Sequence, residues 1–130
     1  MEDNMSGLEI CSSNQEGFKP LIDFGSWRVA LSNGPSVYER KEIKSLSRHL
    51  ETDEVFALLK GSCLMLTAGN GDAPGKITKT WMEIGQLYNV TKATWHGTIL
   101  MPGTTVLIVE NNDVGPGNSE TRDILETISV

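Results

Sequence analysis

The chain is poor in the residues that would place it among several large protein classes. It has 2 cysteines in 130 residues, Cys11 and Cys63, far apart and outside any Cys-x-x-Cys spacing. That excludes a disulfide framework and a structural zinc knot, and it fits a reducing compartment. Basic residues are outnumbered, with 11 Lys and Arg against 17 Asp and Glu and a formal net charge of -6. A nucleic acid or an anionic membrane surface would need the opposite sign, so neither is expected as a partner. No stretch approaches the roughly 18 consecutive apolar residues of a membrane span. The acidic opening MEDNMSGLEICSSNQEG has no basic segment leading into an apolar one, as a secretory signal would. A cytoplasmic protein that meets a small molecule is therefore expected. Only 2 histidines are present, His49 and His96, which makes the position of each informative.

What is there reads as one all-β domain. Hydrophobic residues make up 38% and charged residues 22%, and 13 glycines punctuate the chain, a composition suited to short strands and tight turns. Apolar residues recur with a period of two in 26–33, 54–60, 62–68, 76–84, 86–90, 93–101 and 104–111. Gly61 suits the positive φ of a hairpin turn between the second and third of these runs. Segment 38–51 is ambiguous: Ile43 and Leu46 suit a helix face, while Ile43, Ser45, Ser47 and His49 share a strand face. Its second half is read as strand. The sequence divides into a flexible leader over 1–17, a barrel over 18–117 and a tail over 118–130. In that tail Asn118 or Ser119 can cap a short helix over 119–128.

Two spacings carry chemistry. Ser47 and His49 are followed, after four intervening residues, by Glu54 and then, after six more, by Gly61. Gly85 is followed by QLYNV, Thr91-Lys92-Ala93, Thr94-Trp95 and His96. Together these resemble the two sequence motifs of the cupin family, His-x-His-x(3,4)-Glu-x(6)-Gly and Gly-x(5)-Pro-x-Gly-x(2)-His-x(3)-Asn. Ser47 stands where the family has its first histidine, Thr91 for proline, Ala93 for glycine and Leu100 for asparagine. The resemblance implies a double-stranded β-helix, or jelly-roll barrel, with His49, Glu54 and His96 converging inside it. A looser likeness links EVFALLKGSCLMLTAGNGDAPG and KATWHGTILMPGTTVLIVEN to ureidoglycolate lyases, which are cupin-type barrels.

The first reading from this resemblance is a lyase or hydrolase acting on a small carboxylated metabolite such as ureidoglycolate. His96, Glu54 and Lys92 would be catalytic, with His96 as general acid or base, and Ser47, Tyr88 and Trp95 would contact substrate. His49, Glu54 and His96 would be ligands for Fe, Mn, Zn or Ni. The set is incomplete beside the family's three histidines and one glutamate. The second reading is a metal-free, non-catalytic pocket for a sugar or sugar acid, in which the histidines simply hydrogen-bond Glu54. The bland readings are that Trp81, Tyr88 and Trp95 fill core, that Lys92 is solvated, and that Cys63 is a small core hydrophobe. A homodimer is expected because small cupins often pair.

Overall fold

The computed structural model describes residues 6–130. Its strands are β1 (Gly17–Phe24), β2 (Trp27–Asn33), β3 (Glu42–His49), β4 (Glu54–Lys60), β5 (Cys63–Thr67), β6 (Thr78–Trp81), β7 (Tyr88–Val90), β8 (His96–Leu100), β9 (Thr105–Asn111) and β10 (Ser119–Ser129). They form two five-stranded sheets, one ordered β1-β2-β9-β4-β7 and the other β10-β3-β8-β5-β6. Every pairing is antiparallel. Hairpins account for β1-β2 and β5-β6; the hairpin expected between β4 and β5 is not formed, because the turn at Gly61 carries the chain from one sheet to the other, and the remaining neighbours are distant in sequence. That is the jelly-roll arrangement expected from the motifs. Among the described residues no helix is long and apolar enough to cross a membrane.

Strand alternation sorts the apolar residues into two cores. Ala30, Phe56, Leu58, Cys63, Met65, Val90, Val106 and Ile108 come from both sheets and fill the space between them. Leu46, Leu64, Leu66, Trp95 and Ile99 sit on the opposite face of the second sheet, together with Ile124 and Ile128 of β10. Near-continuous hydrophobic runs such as CLML in β5 follow from this double burial: successive side chains enter different cores. Cys63 is fully buried in the first, and burial pushes its thiol up to about 12.

The tail corrects the sequence expectation. Residues 119–128 form no helix; they lie within β10, paired along the edge of β3 from Ser119↔His49 to Ser129↔Glu42. The capping residue is otherwise engaged, because Asn118 accepts from the Gly115 N–H and donates to the Asp113 carbonyl, closing the preceding loop. β3 then offers an open edge. Thr121, Ile124, Thr127 and Ile128 are β-branched and suit it. Ile128 is buried and Ile124 packs beside it, so tertiary contacts outweigh weak helix propensity. The tail is thus part of the second sheet. β1 was not anticipated, since its apolar positions are interrupted by Lys19, Pro20 and Asp23. Within the expected leader, Asn33 donates to the carbonyls of Ser13 and Gln15; residues 1–5 lie outside the described residues.

Two backbone positions are tightly constrained, Ala93 beside the site and Gly61 at the other end of β4. Gly61 turns β4 into β5 at φ +84°, and a Cβ there would collide with Thr104. Ala93, in the place of the family's glycine, is held at φ +67°, a left-handed conformation that a Cβ disfavours. Gly61→Ala is expected to destabilise by about 2–4 kcal/mol, combining strain and overlap. Ala93→Gly is expected to stabilise by about 0.5–1 kcal/mol. Urea unfolding of the two variants checks both signs; an Ala93→Gly protein less stable than wild type would contradict the strain argument.

Candidate functional site

The site lies where two cross-strand rows face each other inside the sandwich. In the second sheet, register aligns Thr121, Ser47, His96 and Thr67 on neighbouring strands, with His49 one inward position along from Ser47 and opposite Ser119. In the first sheet, Arg28 pairs with Glu110, and Glu54 pairs with Val90. The Val55↔Val109 pair brings Glu54 and Glu110 alongside each other one step further on. Because side chains directly across a strand pair share a face, the two rows present polar groups to one interior region.

His49 Nε2 and His96 Nε2 both point at one oxygen of Glu54, at 3.1 and 2.9 Å from Oε1. The rings meet edge to face at 5.4 Å, and Phe56 packs against His96 in the same manner at 6.0 Å. Glu54 and His96 are buried. Ligand atoms of His49, Glu54 and His96 all lie within 4.8 Å of one another.

The opposite ring nitrogens decide where the protons sit. His96 Nδ1 lies 2.9 Å from the Thr94 carbonyl, which can only accept, so Nδ1 carries the hydrogen. His49 Nδ1 lies 2.9 Å from Ser119 Oγ, a hydroxyl that can donate to the ring or accept from it. The neutral His96 ring therefore turns a bare Nε2 lone pair toward a carboxylate. The contact is attractive only with a proton or another cation between them. Burial alone would raise the Glu54 carboxyl, but hydrogen bonds from His49 and His96 and their charge bring it down to about 2. Burial alone would lower His96; the Glu54 hydrogen bond and charge raise it instead. A protonated His96 on an ionised Glu54 is the resulting metal-free state.

Local turns hold this geometry. Ala93 N–H donates to the His49 carbonyl at 2.7 Å, tying the loop before His96 to the end of β3. Asp53 accepts from Lys92 N–H at 2.8 Å and from Asn89 Nδ2 at 3.1 Å. The Asn89 and Lys92 bonds hold its carboxyl below the usual range. Asp53 thus pins the 89–92 turn beside Glu54, and the acidic cluster before β4 has a structural member.

The other anticipated residues separate. Ser47 lies beside His96 and shares a hydrogen bond with Thr121 at 2.8 Å. Tyr88 packs on the inner core, with its hydroxyl accepting from Glu83 N–H. Trp95 is not a substrate contact in this geometry: it is fully buried on the far face of the second sheet, donates to the Gly71 carbonyl and lies under the Arg48 guanidinium at 4.4 Å. Alternation demands this, since His96 points inward and its neighbour must point out. Lys92 is exposed in its turn and is not brought to the cluster.

Glu110 was missed. It is buried, and its signal lay in TTVLIVEN, where alternation turns Val106, Ile108 and position 110 inward together. An acid on that face of an otherwise apolar strand should have been noticed.

A cleft of about 420 Å³ opens beside the cluster between β5, β6 and β7, lined by Met65, Thr67, Thr80, Tyr88, Asn89 and Thr94 among others. Thr67 is the strand partner of His96, and Val90, also on its wall, is the partner of Glu54. A larger cleft of about 730 Å³ lies between residues 73–77 and 123–126 and touches no member of the cluster.

No family model matches the chain, and no curated protein matches it. Solved structures do. A cupin-2 domain containing protein from Shewanella frigidimarina aligns at 17% identity over 77% of this chain and 85% of that one, with a TM-score of 0.53. A TDP-fucose-3,4-ketoisomerase from Campylobacter jejuni aligns at 14% identity over 81% and 85%, with a TM-score of 0.55. A 3,4-ketoisomerase from Thermoanaerobacterium thermosaccharolyticum, solved in complex with TDP, aligns at 15% over 76% and 68%, also at 0.55. The protein has the cupin fold. At these identities the likeness speaks for architecture, and ureidoglycolate as a substrate finds no support in it.

The raised His96 and lowered Glu54 set the pH response of the metal-free protein. Stability from His96 is complete below its ordinary value of 6.5 and is lost as pH rises through its higher folded value. Stability from Glu54 is present above 4.5 and is lost as pH falls toward about 2. Chelator-treated protein should therefore melt lower at pH 9 than at pH 6, and His96→Gln should reduce that difference. Calorimetry showing the same melting temperature at both pH values for wild type would refute the ion-pair assignment.

Proposed function

We propose that this protein is a divalent-metal cupin enzyme of the lyase or hydrolase type, acting on a small polar metabolite that bears hydroxyl or carboxylate oxygens. The observation that carries the reading is the convergence of two imidazole Nε2 atoms on one carboxylate oxygen, with each Nδ1 hydrogen-bonded on its far side. Outward hydrogen bonds of this kind orient histidines that ligate metals. Neighbouring ligand atoms of a six-coordinate first-row ion lie about 3 Å apart, and the Nε2 to Oε1 distances of 2.9 and 3.1 Å fit that spacing. His49, Glu54 and His96 would hold the ion, which when bound supplies Lewis-acid polarisation of a substrate oxygen.

The rest falls to the chain itself. Thr94 and Ser119 fix the two rings, and Phe56 packs against His96 inside the site. The Ser47 and Thr121 hydroxyls, next to the cluster, are placed to bond a substrate oxygen and to orient it. Tyr88, Thr67 and Thr80 shape the cleft. With Nδ1–H given to Thr94 and Nε2 given to an ion, His96 has no nitrogen free for proton transfer. In this reading the general-base role expected from the sequence gives way to a ligand role.

A second reading, a non-catalytic site for a sugar or sugar acid, draws on the cleft wall, where Thr67, Thr80, Tyr88, Asn89, Thr91 and Thr94 supply neutral hydroxyl and amide groups and no charge. Such a wall bonds sugar hydroxyls well. Metal analysis of protein purified without chelator should find about one first-row ion per chain, reduced at least tenfold in His49→Ala and His96→Ala. The loaded protein is then assayed on small hydroxy acids, ureidoglycolate among them. An ion that is present with substrates recovered unchanged, together with a sugar that raises the melting temperature, would select the second reading. Absence of any ion above trace would remove the first.

A further inference from the structure

Among the described residues, one buried side-chain atom has no hydrogen-bond partner: Glu110 Oε1. Its carboxylate is held asymmetrically. Arg28 Nε and one terminal nitrogen both donate to Oε2, at 3.1 and 2.7 Å, so the guanidinium occupies one oxygen twice and leaves the other free. The free oxygen faces the cluster, 3.7 Å from His49 Nε2. The Glu110 side chain is 3% exposed, so bulk solvent does not reach it. Leaving a buried carboxylate oxygen unpaired is costly. Placing it on the same inner face as a second carboxylate adds repulsion, and burial with the nearby charge of Glu54 does raise the Glu110 carboxyl above its ordinary value.

A cation between the two acids removes both costs. Ser47 stands where the family's first histidine would be, and its hydroxyl is already bonded to Thr121. A three-residue set would be one protein ligand short, and the orphaned oxygen is close by on the facing sheet.

We propose that Glu110 Oε1 is the fourth protein ligand of the site, replacing the missing histidine, so that His49, His96, Glu54 and Glu110 form a two-histidine, two-carboxylate centre with Arg28 as its positioning residue. This rests on the metal reading above. Two carboxylate oxygens among the four ligands shift ligand character toward oxygen, which favours Mn(II). The role of Arg28 is to fix which carboxylate oxygen turns inward.

The test is Mn(II) titration of the full chain, followed by calorimetry and by the electron paramagnetic resonance signal of free Mn(II). Wild type is expected to bind one ion, Glu54→Gln to lose it, and Glu110→Gln to bind at least tenfold more weakly. Because Glu110→Gln also disturbs a buried ion pair, crystals of wild type grown with Mn(II) provide a readout that needs no variant: the anomalous peak should lie within bonding distance of Glu110 Oε1. Wild type that binds Mn(II) with the peak out of reach of Glu110, or with an unchanged dissociation constant in folded Glu110→Gln, overturns the assignment and leaves the metal reading standing. Failure of wild type to bind any first-row ion removes the metal reading itself, and the ligand role falls with it.

Discussion

The interior of this barrel is governed by one buried contact, the Glu54 oxygen facing two imidazole nitrogens that cannot both be protonated without cost. A carboxylate taken out of water needs compensating positive charge or hydrogen-bond donors. Here the His96 hydrogen is drawn to Thr94 on its far side. Between His96 and Glu54 the site therefore calls for a cation, whether a proton or an ion. Other features nearby serve that arrangement. The Ala93 bond to the His49 carbonyl joins the two histidine-bearing segments, and the Asp53 bonds fix the turn that leads to one of them.

Position in the sheets explains why these groups meet. Glu54 opens β4 and His49 closes β3, so a short turn brings these two side chains from different sheets together. His96 opens β8, which is hydrogen-bonded between β3 and β5. Glu110 stands near the end of β9, beside β4. All four occupy strand ends on one side of the sandwich, leaving Phe56, Leu58, Met65, Val106 and Ile108 to fill the interior between the sheets. Packing supports the polar end without contributing to its chemistry.

The centre of the second sheet is buried on both faces, as β5 shows, and this has a functional consequence. β10 covers one side of β3 with Ile124 and Ile128, while its first residues, Ser119 and Thr121, reach the inner face beside His49 and Ser47. One strand therefore seals the outer core and completes the hydrogen-bond shell of the site. Trp95 and Arg48 perform the corresponding packing on the outside, immediately next in sequence to His96 and His49. Neighbouring residues in the chain thus belong to separate layers.

The sequence by itself determined the all-β class, most strand positions, the turn at Gly61 and three members of the cluster. Those features are local: period-two alternation, glycine conformation and fixed motif spacing can be read along a single strand or hairpin. Tertiary structure decided the rest. The tail became a strand because β3 had an open edge, a fact that no property of residues 119–128 reveals. Trp95 left the pocket because pairing fixed which face His96 takes. Glu110 came to lie beside the cluster because the register of β9 between β2 and β4 set it next to Glu54, with Arg28 on its other side. Such relations depend on which distant strands hydrogen-bond to each other, and linear order does not specify that pairing.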